Sequence, residues 1–488
     1  MGSQLTLREQ SIARLSRPEG FDLAIVGGGA TGLAVALLAA WAGRSVALIE
    51  ANDFASGTSS RSTKLLHGGV RYLAQGEVGL VREALHERKA LIDLAPEIAH
   101  PLRFAMPAYR WWERLFYGVG LVAYDWLAGA ASLGKTEQLS QAATLERYPT
   151  VSPRHLNGAV TYCDAQFDDA GLAIAMARGA ASAGAVLLNR VEATAVSRGP
   201  SGLSVSFTDR LTGVQGQVTA RNVVNAAGVW VDGLRSGAPM VQPSQGAHIV
   251  VDRRFHSSAD ALLLPRTADG RVLFVVPWLG HCVIGTTDTP RDPADVELGR
   301  EPLPFSAEID LILSEAGRLL SIAPTRADIL SAWAGLRPLV KPAAAGGSAT
   351  HRISREHAIE VETNGLVTIT GGKWTTCLAM ARDVLRALPE QPFEAATPPG
   401  IKLASGMTDF ASRVPTASEV GWLVDHTWAN TVEDVLARRS RLLFLDVAQA
   451  LAAAPAVAQA LESRTGHAAD LPGFQLMAQA WMARFRPA

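Results

Sequence analysis

Apolar and polar positions change their spacing several times along the chain. In residues 21–50 the apolar run Leu23, Ala24, Ile25, Val26 leads into glycines, an Ala- and Leu-rich stretch, and a second apolar run from Val46 to Ile49. This pattern predicts strand, turn, helix and strand. In residues 77–94 apolar side chains recur at three- and four-residue steps (Leu80, Val81, Ala84, Leu85, Leu91, Ile92), which predicts an amphipathic helix closed by Pro96. Residues 111–127 mix Trp111, Trp112, Phe116, Tyr117, Tyr124 and Trp126 with Arg110 and Arg114, and read more readily as core than as membrane contact. A helix is predicted over 171–184, short alternating segments at 186–188 and 203–207, and a strand at 223–226. Residues 246–290 alternate β-prone runs (248–251, 272–276, 282–285) with turn residues, as an antiparallel sheet does. The strand at 366–370, Gly371 and Gly372, and a helical stretch after Lys373 return to α/β character. Beyond Pro399 the spacing is helical over 432–451, with a break expected at Pro455 before 456–461.

These runs predict an α/β fold: a Rossmann-type domain, an inserted antiparallel-sheet substrate domain and a small C-terminal helical domain. The first takes segments 18–95, 161–240 and 336–395, the second 96–160 and 241–335, and the third 400–488. A chain of 488 residues has length for several domains, with a large ligand buried between them. The balance of 45 basic and 46 acidic residues leaves no field that would draw the protein onto nucleic acid. Cys163, Cys282 and Cys377 are too scattered for a zinc site or a disulfide framework, so reduced thiols and a cytoplasmic location are expected. No metal-spaced cluster stands out. The first twenty residues carry Arg8, Glu9, Arg14 and Arg17 without an apolar core, so no export signal is expected. The apolar run 115–131 is interrupted by Asp125 and falls short of the ~20 residues a spanning helix needs. Peripheral contact with the inner face of the cytoplasmic membrane stays open, as does a homodimer.

Gly27, Gly29 and Gly32 form G-x-G-x-x-G between a predicted strand and a predicted helix, and Glu50 closes the second strand. Gly27 permits the tight turn, Gly29 lets backbone approach a pyrophosphate and Gly32 allows close packing; Ala30 and Thr31 open the helix, whose N-terminus favours anions. Glu50 would accept hydrogen bonds from a ribose and disfavours a 2′-phosphate. FAD rather than NAD is indicated by a second small-residue stretch, TSSRSTKLLHGGVRY, carrying Thr58, Ser59, Ser60, Lys64, Leu65, His67, Gly68 and Gly69. Two later turns, at Ala227 and Gly228 and at Gly372, Lys373 and Thr375, would converge on the same elongated ligand.

Oxidation of a substrate by hydride transfer to a flavin calls for a base, positive charge for any anionic substituent and a stabiliser for the reduced flavin. Arg71, His248, Arg337 and Lys373 are candidates for these roles. Arg337 precedes a proline in a turn-like stretch, where a surface arginine fits as well as a phosphate ligand. Lys373 opens a helix, where a cation is electrostatically unfavourable without a function. A strand histidine such as His248 is more often structural than catalytic. Thr286, Thr287 and Asp288 read mainly as a turn.

VGGGATG, TSSRSTKLLHGGVRYL, GAHIVVD, VIGTTDT, WAGLRPLV and ITGGKWTT occur in this order, and with them the chain resembles the FAD-dependent, quinone-linked glycerol-3-phosphate dehydrogenases of the glycine/D-amino-acid oxidase superfamily. The resemblance covers roughly residues 21–390 and continues over 419–442. It implies non-covalent FAD, with His67 shaping the flavin pocket, and oxidation of glycerol 3-phosphate to dihydroxyacetone phosphate with electrons passed to a membrane quinone. It also implies His248 as base and a substrate site of Arg71, Tyr72, His248, Arg337 and Lys373. Another polyol phosphate as substrate, oxygen as acceptor, an amine or amino-acid oxidase and a non-catalytic FAD protein are the competing readings. The chain departs from the family at Gln245, where bacterial members tend to carry lysine, at Gly171, which replaces an arginine after Asp168, Asp169 and Ala170, and in a short region before the C-terminal match.

Overall fold

A computed structural model describes residues 7–73, 76–199, 202–267, 270–296, 301–341 and 357–486. Two sheets organise it. In the first, the strand Phe21–Val26 lies between two parallel neighbours, Val46–Ile49 and Gln215–Asn225. Val186–Leu188 extends one side and Leu366–Gly371 the other, both also parallel. Parallel strands of this kind are buried on both faces, which explains why they read as continuous apolar runs rather than alternating ones. The helix Ala30–Trp41 follows the first strand and is buried from Gly32 to Ala40. It packs against the helices Asp169–Ser182 and Cys377–Arg386. The Val191–Gly199 and Gly202–Asp209 strands form an antiparallel extension whose half-buried alternation marks one wet face.

The second sheet has ten strands. Its long strand Val241–Asp252 pairs antiparallel with His281–Gly285 on one side and Ile329–Val340 on the other. The β-prone runs expected over 246–290 fall in strands of this sheet, with Leu273–Trp278 pairing antiparallel to His281–Gly285. One pairing departs from the antiparallel rule: Ala261–Leu264 runs parallel to Ala99–Ala108.

The C-terminal part is helical: Ala417–Thr427, a π-helical turn Asp434–Arg439, then Leu442–Leu445, Val447–Thr465 and Leu471–Phe485. The break expected at Pro455 does not occur, and the helix Val447–Thr465 runs through it. Proline removes one donor, and Pro455 lies on an exposed side of the helix where water can satisfy the carbonyl left over.

The aromatic stretch also differs from expectation. It forms the helix Glu113–Ala128, and Tyr124 is buried, but Trp111 and Trp126 are 79% and 81% exposed. Leu115, Phe116, Val119 and Val122 are exposed with them. Helical periodicity states that apolar residues share a face and is silent about what that face meets. Among the described residues no helix is long and apolar enough to cross a membrane.

Candidate active site

A cavity of about 870 Å³ runs between the two sheets, within the ~300–1,000 Å³ of ligand sites. Its first wall is the glycine turn. Gly27 has φ +109°, and a Cβ there would lie 2.5 Å from the carbonyl oxygen of Ala226. Gly29, Ala30 and Thr31, at the start of the buried helix, line the cavity. A Cβ at Gly29 would meet only Ser59 Oγ, at 3.2 Å, so backbone is presented to the space beyond. Gly32 faces away: its Cβ would fall 1.9 Å from the Gly27 carbonyl oxygen, and its smallness brings helix against strand.

Glu50 lines the cavity and accepts hydrogen bonds from Gly28 N (2.7 Å) and Asn52 N (2.8 Å). Burial holds its carboxyl above the ordinary range. Thr58 and Ser59 line the next stretch; Ser59 Oγ accepts from Ala30 N at 2.9 Å, tying this segment to the helix start. Leu65, His67 and Gly69 follow along the same wall, and Thr375 Oγ1 donates to the His67 carbonyl at 3.3 Å. Ala227, Gly228, Gly372, Lys373 and Thr375 close the far side. Lys373 is the N-cap of a 3-10 turn, Trp374–Thr376, that leads into the helix Cys377–Arg386. A helix start, two close-approach glycines and an acid after the second strand fit the pyrophosphate and ribose of a dinucleotide.

Three other residues of the expected cofactor set point elsewhere. Ser60 and Lys64 are fully buried, and Lys64 Nζ donates to the Ser60 carbonyl (2.7 Å) and to Asp169 Oδ2 (2.8 Å). Burial lowers the lysine to about 7. Gly68 donates its N–H to Tyr124 Oη at 2.9 Å, beneath the exposed aromatic helix. Arg71 and Tyr72 belong to the short helix Val70–Leu73, and their side chains lie outside the described residues.

The second sheet supplies the floor. His248 and Arg337 sit on neighbouring strands with the pairs His248↔Trp333 and Ser244↔Arg337, and the period of two puts both on one face. Between them lies the pair Gly246↔Gly335. A Cβ at Gly246 would fall 2.3 Å from Arg337 Nη2, and one at Gly335 would fall 2.9 Å from the Cβ of Arg61. These two glycines let the guanidinium and the 58–64 segment lie on the sheet. Gly285, opposite His248, leaves room for the ring, since its Cβ would approach the imidazole to 2.4 Å.

His248 is 2% exposed. Its Nε2 is 2.9 Å from Thr63 Oγ1, its ring stacks on Trp333 at 5.3 Å, and its Nδ1 has no hydrogen-bond partner among the described residues. Burial, and then the charges of Lys64 and Arg337, hold the imidazole well below its ordinary pKa. Arg337 Nη2 donates to Thr286 Oγ1 and to the Thr287 carbonyl, each at 3.0 Å, and Asp288 lies 3.5 Å from Nη1. Thr286, Thr287 and Asp288 therefore line the cavity and aim the guanidinium. Sequence reasoning missed Thr63 and Trp333 beside the histidine; each falls in a motif, TSSRSTKLL and WAGLRPLV, whose other members were singled out. Gln245 faces away from the cavity, bonded to Glu308 Oε2 (2.7 Å) and Arg291 Nη1 (2.6 Å).

Comparison with known proteins adds to this geometry. Residues 22–386 match the family described as FAD dependent oxidoreductase, and residues 407–470 match the C-terminal domain of alpha-glycerophosphate oxidase. The chain is 41% identical over 399 residues to a mitochondrial glycerol-3-phosphate dehydrogenase of Rattus norvegicus, a match covering 78% of this chain and 54% of that protein. A mitochondrial glycerol-3-phosphate dehydrogenase of Arabidopsis thaliana is 40% identical, with 78% and 62% covered. The chain thus spans little more than half the length of these relatives. Among solved structures, the glycerol-3-phosphate dehydrogenase from Bacillus halodurans complexed with FAD is similar at a TM-score of 0.76 and 27% identity, covering 98% of each chain.

Proposed function

Because this chain belongs to the family of FAD dependent oxidoreductases, we propose that it oxidises the secondary alcohol of a small phosphorylated polyol, with sn-glycerol 3-phosphate as substrate and dihydroxyacetone phosphate as product. The observation that carries this reading is the shared face of His248 and Arg337 in the cavity that also opens on the glycine turn. Bound FAD supplies the hydride acceptor at N5. The glycine turn and the start of the helix Ala30–Trp41 hold its pyrophosphate, and Glu50 its ribose. His248, kept neutral, takes the proton from the hydroxyl oxygen as hydride leaves the carbon that bears it. Arg337, with Lys373 on the opposite wall, binds the phosphate. Arg71 and Tyr72 belong to the substrate site by resemblance.

Mixing the FAD-loaded protein anaerobically with glycerol 3-phosphate, longer polyol phosphates and amino acids tests the reading. Bleaching of the flavin by glycerol 3-phosphate supports it, and bleaching by amino acids alone overturns it. Reoxidation by air against reoxidation by a quinone analogue separates an oxidase from a dehydrogenase. A charge-assisted hydrogen bond is worth ~1.5–3 kcal/mol, so Arg337→Ala is expected to raise the half-saturating concentration of glycerol 3-phosphate roughly 10- to 150-fold. Normal affinity in that variant would move the phosphate site elsewhere.

Electrons then pass to a membrane quinone, and the exposed face of Glu113–Ala128 supports this step. Its apolar stripe from Trp111 to Trp126 is flanked by Arg110 and Arg114, a composition suited to an anionic bilayer surface. On its inner side Tyr124 holds Asp164 and Gly68, next to cavity residues His67 and Gly69. Replacing Trp111 and Trp126 with serine is expected to weaken binding to anionic vesicles at least about 100-fold, each indole contributing ~1.5–3 kcal/mol when buried. Undiminished cosedimentation would remove this face from the membrane.

A further inference from the structure

Arg441 and Phe444 belong to the C-terminal helical part, yet both end behind the wall of the cavity. Arg441 is fully buried, and its Nη2 donates to the Ser60 carbonyl (3.1 Å) and to Asp169 Oδ1 (2.9 Å). The other carboxylate oxygen, Asp169 Oδ2, accepts from Lys64 Nζ (2.8 Å), Ser62 Oγ (2.7 Å) and Ser62 N (3.2 Å). Lys64 Nζ returns to the Ser60 carbonyl at 2.7 Å. One buried carboxylate and one buried guanidinium thus fasten the segment 60–64 at both ends. Thr63, inside that segment, is the residue that meets His248 Nε2.

A second route reaches the same imidazole from its face. Phe444 meets Trp333 edge-on, with ring centroids 5.0 Å apart and planes at 67°. Trp333 in turn lies parallel to the His248 ring, at 17°. The imidazole is therefore held at its edge by Thr63 and on its face by Trp333, and each holder is backed by the C-terminal helices. Since Nδ1 has no partner among the described residues, these two contacts carry much of its orientation.

We propose that Arg441 and Phe444 are positioning residues for His248, so that the C-terminal helical domain completes the active site instead of serving only the stability of the fold. This rests on the reading of His248 as the base. A ring displaced by a fraction of an ångström stays in the site but transfers the proton poorly, so the loss belongs in the rate of the chemical step and not in binding.

The test uses full-length, FAD-loaded protein carrying Arg441→Ala or Phe444→Leu. The rate of anaerobic flavin reduction at saturating glycerol 3-phosphate is expected to fall about 10- to 100-fold. FAD content per chain should hold, and the half-saturating substrate concentration should stay within about twofold. Hydrogen–deuterium exchange over residues 58–64 of the FAD-loaded Arg441→Ala protein should quicken, and added guanidinium ion should restore most of the lost rate in that variant but none in Phe444→Leu. Parental reduction rates in both variants overturn the proposal, as does a loss confined to FAD content or substrate affinity. If Arg441→Ala does not accumulate as folded protein, Phe444→Leu decides, because leucine keeps the apolar packing and removes only the ring edge. A His248→Asn protein run in parallel separates the two readings: parental reduction there topples the base itself, whereas slow reduction there with normal Arg441 and Phe444 variants topples only the positioning.

Discussion

Replacing His248 with asparagine should slow the anaerobic reduction of bound FAD by glycerol 3-phosphate about 100- to 10,000-fold, the range in which removal of a general base falls. FAD content should be unchanged, since the histidine sits on the second sheet while the glycine turn belongs to the first. The pH profile gives a second readout. Burial, then Lys64 and Arg337, disfavour the imidazolium, so the neutral ring persists well below the ordinary histidine value of about 6.5. In the parent protein the reduction rate should therefore stay level as the pH falls through neutrality, and decline only once the lowered pKa is crossed. Stopped-flow absorbance across pH measures both. A variant with the parental rate and profile would remove His248 from the role.

The largest effect on stability is expected at Asp53, a residue without any part in the chemistry. It is fully buried, and its carboxylate accepts from Arg438 Nε (2.5 Å), Arg439 Nη1 (2.5 Å) and Nη2 (2.9 Å), and Asn189 Nδ2 (2.9 Å). Both arginines are themselves fully buried in the π-helical turn. Asp53→Ala leaves two buried guanidiniums each short of a partner, which costs ~3–5 kcal/mol. Chemical denaturation should read this loss, and limited proteolysis should find the C-terminal helices cut first. Burial pushes the Asp53 carboxyl up, but Arg439 and Arg438 outweigh it and hold it well below its ordinary value. Its contribution is therefore complete above about pH 4, the unfolded carboxylate value, and fades as acid approaches the lower folded one. A parental denaturation midpoint in Asp53→Ala would show that the pair adds nothing.

Why Glu50 was legible and Asp53 was not follows from distance along the chain. The glycine turn, its helix and the closing acid are a local unit, whose spacing is set by the geometry of one strand, one turn and one helix. Asp53 meets Arg438 across 385 residues, and no periodicity near either end signals the other. His248 and Arg337 fall between these extremes. The strand around His248 was plain, whereas the stretch around Arg337 reads as a turn and proves to be part of the strand Ile329–Val340; that the two share a face follows from strand register, which apolar patterning does not fix between strands far apart in sequence. The aromatic stretch shows another limit: its mixture of aromatics and arginines is visible in composition, while neither the helix it forms nor the side it turns to solvent is. Lys64 fell within a stretch that does line the cavity, and its inward turn to Asp169 depends on a partner beyond the reach of local pattern.

The first sheet also sets an order of events during synthesis. The strand Phe21–Val26 pairs with Gln215–Asn225, and that strand in turn pairs with Leu366–Gly371. As the chain leaves the ribosome, the first strand and its glycine turn exist long before either later partner has been made. At the usual elongation rates of ~5–20 residues per second, the wait for the nearer of the two is on the order of 10–40 s. Throughout it the apolar edge of Phe21–Val26 is unprotected and its nucleotide turn has only one flank. A nascent chain of this protein should therefore depend on chaperone cover until residue 225 has emerged, and cofactor capture should come late, as one of the last events of folding.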